Sequence, residues 1–250
     1  MTSKQDYRDS HTAKNYGEGY HKTFKTHAYR MYTWELERCI LSNIVKDQFK
    51  GGVGSHLDFA CGTGRVLTYL EQYCDKSIGV DISESMLEVA KREISNAQLV
   101  LGDLTQSDLL QNQRFDLITA FRFFLRAQPS LRNEAISKLA QHLDSDGYLV
   151  FNIHNNRTSI SNKISKLYTK IKYGKVVDRD EMSYGEVVSL VRSHGLTITA
   201  THAYGTYPVF REDQKFPEKL TRLVDRFTKS KYLSTYVIYV CKKMPMADAP

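Results

Sequence analysis

The stretch Asp58-Phe59-Ala60-Cys61-Gly62-Thr63-Gly64-Arg65 decides how this sequence folds. The segment from His56 to Ala60 predicts a buried strand, and helical spacing begins at Arg65. Glycines between a strand and a helix permit a tight turn and let a ligand approach the backbone closely. Because ligands of open α/β sheets bind beyond the carboxyl ends of the strands, this stretch predicts a ligand cradle.

Strand and helix patterns alternate on both sides of this turn. Six further strands are predicted, at residues 77–82, 97–101, 115–120, 148–153, 196–201 and 236–241. Helices are predicted between them, at about 65–74, along Met86, Leu87, Ala90 and Ile94 behind a Ser83 cap, along Leu131, Ala135, Ile136, Leu139 and Leu143, and at 183–194. The pattern predicts an α/β fold, a doubly wound, mostly parallel seven-stranded sheet with helices on both faces and an antiparallel C-terminal strand.

The flanking segments suggest how the chain is organised. Residues 1–32 are predicted to be an N-terminal lid arm, and residues 33–250 a single domain whose first helix runs along Trp34, Arg38, Leu41 and Val45. Two segments break the alternation, one at 155–182, which is rich in lysine, and one at 206–233, where Leu220, Leu223, Val224 and Phe227 predict a helix. Both are predicted insertions that leave the sheet near its functional edge.

Composition narrows the class of protein. No stretch approaches the roughly 20 apolar residues of a membrane span, and the polar start lacks a secretory signal, so a cytoplasmic protein is expected. The four cysteines have no metal-ligand spacing, which predicts no metal site. A net charge of +7 favours an anionic partner without identifying it.

Carboxylates follow the second and third predicted strands. Asp81 lies seventeen positions after Gly64, where a carboxylate can accept hydrogen bonds from the hydroxyls of a ribose. Gly102-Asp103-Leu104 places another carboxylate at the same edge of the sheet. The alternative for Asp81 is a carboxylate that stabilises a helix start through the helix dipole. With the glycine loop, the spacing predicts a nucleoside ligand.

Four motifs in succession resemble a known family. Residues 58–65 (DFACGTGR), 79–87 (GVDISESML), 101–104 (LGDL) and 115–121 (FDLITAF) are similar to the cofactor motifs of class I S-adenosylmethionine-dependent methyltransferases. The resemblance covers roughly residues 55–154. It implies a Rossmann-like fold, S-adenosylmethionine as cofactor and S-adenosylhomocysteine as product.

The resemblance also implies roles for individual residues. Asp58 would anchor the turn and the methionine amino group, Ala60, Gly62 and Gly64 would lie beside the methionine part, and Asp81 would bind the ribose. Ile82 and Met86 would pack on adenine, and Asp103 would accept a hydrogen bond from the exocyclic amine of that base. Leu104 would offer its backbone groups, and Ala120 would lie near the methionine amine. In related small-molecule enzymes an N-terminal segment with tyrosines covers the cofactor, which predicts that Tyr16 or Tyr20 approaches the methionine carboxylate. The alternatives are core packing for Ile82 and Met86, and a surface arm for the tyrosines.

The acceptor side is predicted from the ends of the fourth and fifth strands. Methyl transfer from a sulfonium requires an aligned, deprotonated acceptor. Arg122 is predicted to clamp an acceptor phosphate or carboxylate, with a salt bridge that closes the site as the alternative. His154 is the leading candidate for a general base, with a structural hydrogen bond as the alternative. Tyr207 and Arg211 are predicted as polar members of another acceptor wall.

These observations predict a methyltransferase that acts on an oxygen or nitrogen atom of a compact polar acceptor. A sugar, sugar nucleotide or glycan is favoured, in line with a loose likeness to bacterial glycan and natural-product enzymes, and nucleic acid is disfavoured. The alternatives are a catalytically silent S-adenosylmethionine- or nucleotide-binding module and a methyltransferase acting on RNA. A nicotinamide dehydrogenase, suggested by the spacing of Tyr168 and Lys172, is rejected because residue 67 is leucine where the fingerprint needs a third glycine.

Overall fold

A seven-stranded sheet forms the centre of the protein. The computed structural model describes residues 7–8, 16–125, 127–154, 156–174, 181–206 and 217–245. The strands are β1 (Val53–Phe59), β2 (Cys74–Asp81), β3 (Gln98–Leu101), β4 (Phe115–Ala120), β5 (Leu143–His154), β6 (Leu196–Tyr204) and β7 (Tyr236–Lys243). Their order across the sheet is β3-β2-β1-β4-β5-β7-β6.

The sheet is mixed because of β7. Neighbours among the first five strands pair in parallel, whereas β7 runs antiparallel to both β5 and β6. The predicted seven strands and the antiparallel C-terminal strand are therefore confirmed. The carboxyl ends of β1, β2, β4 and β5 meet at one edge of the sheet.

Helices cover both faces of the sheet. They are α1 (Tyr16–Thr26), α2 (Ala28–Gln48), α3 (Arg65–Leu70), α4 (Glu84–Glu93), α5 (Pro129–His142), α6 (Ile160–Tyr173), α7 (Tyr184–Arg192) and α8 (Glu218–Phe227). Strand β5 shows how the faces divide. Phe151 and Ile153 pack in the core that contains α5 and α7, while Val150 packs in the core of α2 and α3. This alternation follows from the two-residue period of a strand, and it confirms the doubly wound fold.

Three local predictions need correction. The helix predicted over about 65–74 ends at Leu70, and a 3-10 turn over Glu71–Tyr73 follows because β2 already begins at Cys74. Arg38, which recurs with Leu41 and Val45 at helical spacing, is exposed, and the neighbouring Glu37 is buried instead. Ser83 occupies the cap position of α4, but its side chain makes no capping hydrogen bond.

Candidate cofactor site

A cleft opens at the carboxyl ends of β1, β2 and β4 and holds about 980 Å³ of empty space, its open mouth included. The sequence-predicted residues in its wall are Tyr20, Asp58, Ala60, Gly62, Asp81, Ile82, Met86, Asp103, Leu104 and Arg122. The fold thus brings together residues from the glycine loop, the ends of three strands and the N-terminal helix.

The glycine loop is built from left-handed backbone. Ala60, Gly62 and Gly64 have φ values of 53°, 57° and 76°. Ala60 is strained, because residues with a Cβ rarely adopt positive φ. At Gly64 an added Cβ would lie 3.0 Å from the Cβ of Ala90 in α4. The glycine therefore permits both the turn and the close packing of the loop against α4.

Asp81 connects this loop to the start of α4. One carboxylate oxygen accepts from the Gly62 amide at 2.7 Å, and the other accepts from the Ser83 amide at 2.9 Å. The side chain is buried, and burial raises its pKa despite these hydrogen bonds. A carboxylate oxygen has a second lone pair, so each can accept one more hydrogen bond from the cleft.

Asp58 ends a buried hydrogen-bond chain that crosses three strands. Its Oδ1 accepts from the Thr119 hydroxyl at 2.7 Å. Since Thr119 has only one proton to donate, His56 Nε2, 2.8 Å away, must donate to that hydroxyl. The chain ends at Ser77 Oγ, 3.4 Å from His56 Nδ1. Burial lowers the pKa of His56 to about 3, which keeps this imidazole neutral.

The second oxygen of Asp58 is a buried polar atom of a residue that lines the cleft. Asp58 Oδ2 has no hydrogen-bond partner among the described residues. Burial raises the pKa of Asp58 to about 7, against smaller lowering effects from Thr119, Arg65 and the Leu67 amide. Such a group gains most from a cationic donor placed in the cleft, which is the chemistry of an ammonium group.

The side of the cleft predicted for adenine contains a guanidinium that the sequence did not indicate. Asp103 Oδ2 accepts from Arg8 Nε at 2.7 Å, and Oδ1 accepts from the Thr105 amide and hydroxyl. Burial alone would raise the pKa of Asp103, but the hydrogen bonds from Thr105 and Arg8 outweigh it and lower the pKa. Arg8 also bonds Glu134 of α5 at 2.5 Å. Asp103 thus holds Arg8 at the wall of the cleft.

A second charged cluster centres on Glu37 of α2. This fully buried carboxylate accepts from Arg65 at 2.7 Å and from the Tyr204 hydroxyl at 2.9 Å. Arg122 and Asn152 contribute longer bonds of 3.4 and 3.2 Å. Burial alone would raise the pKa of Glu37, but Arg122 and Arg65 lower it. The carboxylate therefore stays ionised between two arginines.

Arg122 is fixed at both its backbone and its side chain. Its φ is 65°, and its amide donates to Asn152 Oδ1 at 2.7 Å. Burial alone would lower the pKa of Arg122, but the Glu37 carboxylate raises this pKa by more, so the guanidinium remains charged. The side chain makes the ion pair that the sequence left as an alternative, while its residue still lines the cleft.

Helix α1 closes this cluster with an aromatic ring. Phe24 lies beneath the guanidinium groups of Arg30, Arg65 and Arg122, at 5.0, 4.6 and 4.9 Å from its ring centroid. Cations attract the negative face of an aromatic ring, so Phe24 binds α1 to the glycine loop and to the end of β4. Tyr20, one turn earlier, reaches the cleft wall.

Several sequence-predicted residues lie outside the wall of this cleft. Tyr16 stacks on Tyr20, and Ala120 is fully buried in the sheet. Gly64 contacts α4, as described above. His154 is buried and stacks on Tyr236 with ring centroids 6.2 Å apart, and Tyr236 stacks in turn on Tyr204. This aromatic row joins His154 to the Glu37 cluster through the Tyr204 hydroxyl.

Two other predictions concern Tyr168 with Lys172, and Tyr207 with Arg211. Tyr168 and Lys172 lie on α6, where the lysine donates to the tyrosine hydroxyl at 2.9 Å outside the cleft wall. The spacing of Tyr168 and Lys172 that suggested a dehydrogenase is thus that of a hydrogen-bonded side-chain pair on one helix. Tyr207 and Arg211 lie outside the described residues.

Sequence reasoning missed Glu37, Arg65, Phe24, Thr119 and Arg8. Glu37 precedes Leu41 and Ile44 by four and seven positions, so it lies on their buried stripe, a spacing that signals a buried acid. Arg65 directly follows the glycine loop. No local pattern marks Phe24, Thr119 or Arg8, because their partners are distant in the chain.

Comparison with known proteins finds a related domain in part of the chain. The strand order with its antiparallel seventh strand, together with the glycine-loop cleft, defines the class I methyltransferase fold. A protein-family model described as "Methyltransferase domain" matches residues 57–147. Over residues 57–147 the chain therefore matches a methyltransferase domain, as the S-adenosylmethionine-binding motifs of the sequence predict.

Relatives of known sequence extend the comparison. A dTDP-4-amino-2,3,4,6-tetradeoxy-D-glucose N,N-dimethyltransferase from Saccharopolyspora spinosa is 30% identical over 127 residues, 50% of this chain and 49% of that protein. The putative methyltransferase YqeM of Bacillus subtilis is 25% identical over 178 residues, 66% of this chain and 68% of that protein. The chain spans about half the length of the first of these relatives.

Solved structures show the same fold. Magnesium protoporphyrin IX methyltransferase from Synechocystis, with bound S-adenosylhomocysteine, aligns with a TM-score of 0.62 at 15% identity, over 86% of this chain and 84% of that chain. An S-adenosylmethionine-dependent methyltransferase from Clostridium acetobutylicum aligns with a TM-score of 0.60 at 16% identity, over 92% and 99%. At these identities the likeness concerns the fold alone.

Proposed function

We propose that this protein transfers a methyl group from S-adenosylmethionine to a nitrogen or oxygen atom of a compact polar acceptor, with amino sugar nucleotides as the first class to test. The observation that carries the cofactor half is the buried Asp58 Oδ2 in a cleft beside a strained glycine loop. When bound, the sulfonium supplies an activated methyl group, so this chain's residues need only bind, orient and deprotonate the acceptor.

Each part of the cleft fits one part of the cofactor. Asp58 would receive the methionine ammonium, and Asp81 would use its remaining lone pairs for the ribose hydroxyls. Met86 and Leu104 are buried apolar side chains in the wall, suited to a flat base. Asp103 would act through its bond to Arg8, which closes that end of the cleft.

The Glu37 cluster supports an anionic partner. Two guanidinium groups share one buried carboxylate, which leaves one positive charge in excess beside the glycine loop. In a partly dehydrated cleft this excess attracts a carboxylate or phosphate more strongly than it would in water. We assign it to the methionine carboxylate, together with Tyr20, or to a phosphate of the acceptor.

The acceptor proposal draws on two relatives. The S. spinosa protein, and a Streptomyces venezuelae protein 29% identical over 99 residues, are both named as N,N-dimethyltransferases of dTDP-linked amino sugars. A nucleotide diphosphate would match the cationic wall and the net charge of +7. His154 remains the candidate base for the acceptor proton, since it ends β5 at the same edge of the sheet.

A transfer assay tests this function. The protein is incubated with methyl-labelled S-adenosylmethionine and, separately, a dTDP-amino sugar, the corresponding hydroxy sugar nucleotide, and total RNA. We expect label in a sugar nucleotide. Labelled RNA would instead support the RNA alternative, and tight cofactor binding with no transfer to any pool would support a silent module.

Two substitutions separate binding from chemistry. Asp81→Ala should weaken S-adenosylhomocysteine binding, because it removes a charge-assisted contact worth about 1.5–3 kcal/mol. His154→Ala should reduce turnover at nearly unchanged cofactor affinity, while the exposed His27→Ala should change neither quantity. Full turnover in His154→Ala would make His154 a structural residue.

A further inference from the structure

The apolar face of helix α6 is exposed to solvent. Ile160, Ile164, Leu167 and Ile171 recur at intervals of four, three and four residues, so they form one face of the helix. That face points to solvent, with Leu167 60% and Ile171 77% exposed. The inward positions are polar, since Ser161 and Asn162 are buried. A surface helix of a globular protein normally shows the opposite arrangement.

Helix α8 shows the same inversion. Its buried residues are Thr221 and Asp225, and Asp225 accepts hydrogen bonds from the Tyr32 hydroxyl and the Thr206 amide. Its apolar face, formed by Leu220, Leu223 and Phe227, is exposed. Buried polar contacts hold the helix in this orientation, so the outward apolar face is built into the fold.

Both helices contact the segment that joins α8 to β7. The amide of Ile160, at the start of α6, donates to the carbonyl of Leu233, and the hydroxyl of Ser234 donates to the carbonyl of Thr228 at the end of α8. Tyr232 and Leu233 are themselves exposed. Both helices belong to segments that leave the carboxyl ends of β5 and β6, at the edge of the sheet where the cleft lies. Apolar patches of this kind mark interaction surfaces.

The charges beside the apolar face of α6 indicate its partner. The helix contains Lys163, Lys166, Lys170 and Lys172 and no acidic residue. Lys166 pairs with Glu181, while Lys163 and Lys170 are exposed. A second copy of this chain would bring like charges together, at an energetic cost. A helix with an apolar face bordered by lysines fits the interface of an anionic bilayer, where the lysines reach the headgroups.

We infer that α6 and α8 seat this protein on an anionic lipid bilayer surface, with their apolar faces in the headgroup region. No helix within the described ranges is long and apolar enough to cross a membrane, so the association would be peripheral. The inference goes beyond the proposed function, because it does not depend on which acceptor is methylated.

Vesicle co-sedimentation of the full chain tests the inference. We expect binding to vesicles of phosphatidylcholine with phosphatidylglycerol, little binding to phosphatidylcholine alone, and weaker binding at high salt. The double variant Leu167→Ser with Ile171→Ser should bind about tenfold more weakly, because it removes apolar area from the contact. The matched control is Met31→Ser with Leu101→Ser, which changes two similarly exposed apolar residues elsewhere and should bind like the parent.

Charge and assembly are measured in the same series. Lys163→Gln with Lys170→Gln should reduce binding to anionic vesicles and leave the circular dichroism spectrum unchanged. Sedimentation equilibrium should give a monomer for the parent. The inference is overturned if the folded parent fails to bind anionic vesicles, if both apolar double variants bind equally well, or if Leu167→Ser with Ile171→Ser dissociates a dimer that does not bind lipid.

Discussion

Asp58 joins the stability of the fold to the chemistry of the cleft. Its carboxyl group accepts a hydrogen bond from Thr119, and the residue lines the cleft. Because burial raises its pKa to about 7, the folded protein keeps a proton that the unfolded chain releases near pH 4. Its contribution to the free energy of unfolding therefore falls as the pH rises from about 4 to 7 and is constant above that.

Cofactor binding should follow the ionisation of Asp58 in the opposite direction. A bound ammonium favours the carboxylate, so affinity should rise with pH up to about 7 and then level off, with a slope of at most about tenfold per pH unit. Titration calorimetry with S-adenosylhomocysteine from about pH 5.5 to about pH 8.5, a range that brackets the pKa of Asp58, measures this dependence of affinity on pH. Asp58→Asn should bind more weakly and lose the slope, and a slope that persists in this variant would assign it to another group.

At the scale of elements, α1 depends on one glycine. Gly17 is buried where α1 crosses the start of α4, and an added Cβ would overlap the carbonyl oxygen of Ser85. Since that atom belongs to the backbone of α4, it cannot rotate away. Arg92 with Glu18, and His21 with Glu93 at 3.4 Å, then join the two helices along their length.

Gly17→Ala should displace α1 and with it Tyr20 and Phe24. We expect a loss of about 1–3 kcal/mol in the free energy of unfolding, together with weaker S-adenosylhomocysteine binding. Gly19→Ala is the matched control, because it lies on the same helix with nothing near its added Cβ. It should be neutral or stabilise by up to about 1 kcal/mol. Urea unfolding measures the stability of both variants, and equal changes in the two would contradict the close contact between Gly17 and Ser85.

Glu37 ties α2 to α3, β4 and β6. Glu37→Gln leaves Arg65 and Arg122 without their shared carboxylate, and breaking a buried ion pair costs about 3–5 kcal/mol. The exposed Glu35, paired with Arg222, provides a control whose loss should cost less than about 1 kcal/mol. Urea midpoints should therefore differ strongly between Glu37→Gln and Glu35→Gln, and similar midpoints would refute a structural role for the buried cluster.

For the molecule as a whole, the cleft predicts linkage between ligand and stability. S-adenosylhomocysteine at about one hundred times its Kd should add about 2.7 kcal/mol to the free energy of unfolding. For a chain of this size that corresponds to a rise in Tm of about 5–10 °C. Differential scanning calorimetry measures the shift, and an unchanged Tm at saturating ligand would argue against cofactor binding in the cleft.

Much of this molecule follows from local sequence. The alternation of apolar residues predicts the strands because each strand packs on two faces, and the glycine loop with Asp81 predicts the cleft because both follow strand ends. The Glu37 cluster escapes such reasoning, since Tyr204 lies 167 positions from Glu37 and only the closed sheet brings them together. The inverted faces of α6 and α8 escape it too, because helical periodicity identifies an apolar face without telling which way it points.

The position of β7 also constrains the order of assembly. This strand follows β6 in the chain yet lies between β5 and β6 in the sheet. During synthesis β6 leaves the ribosome before it has a neighbour, and β5 presents an open edge for the same interval. The five parallel strands and the glycine loop can pair earlier, so this part of the sheet can form before the aromatic row and the Tyr204 contact exist.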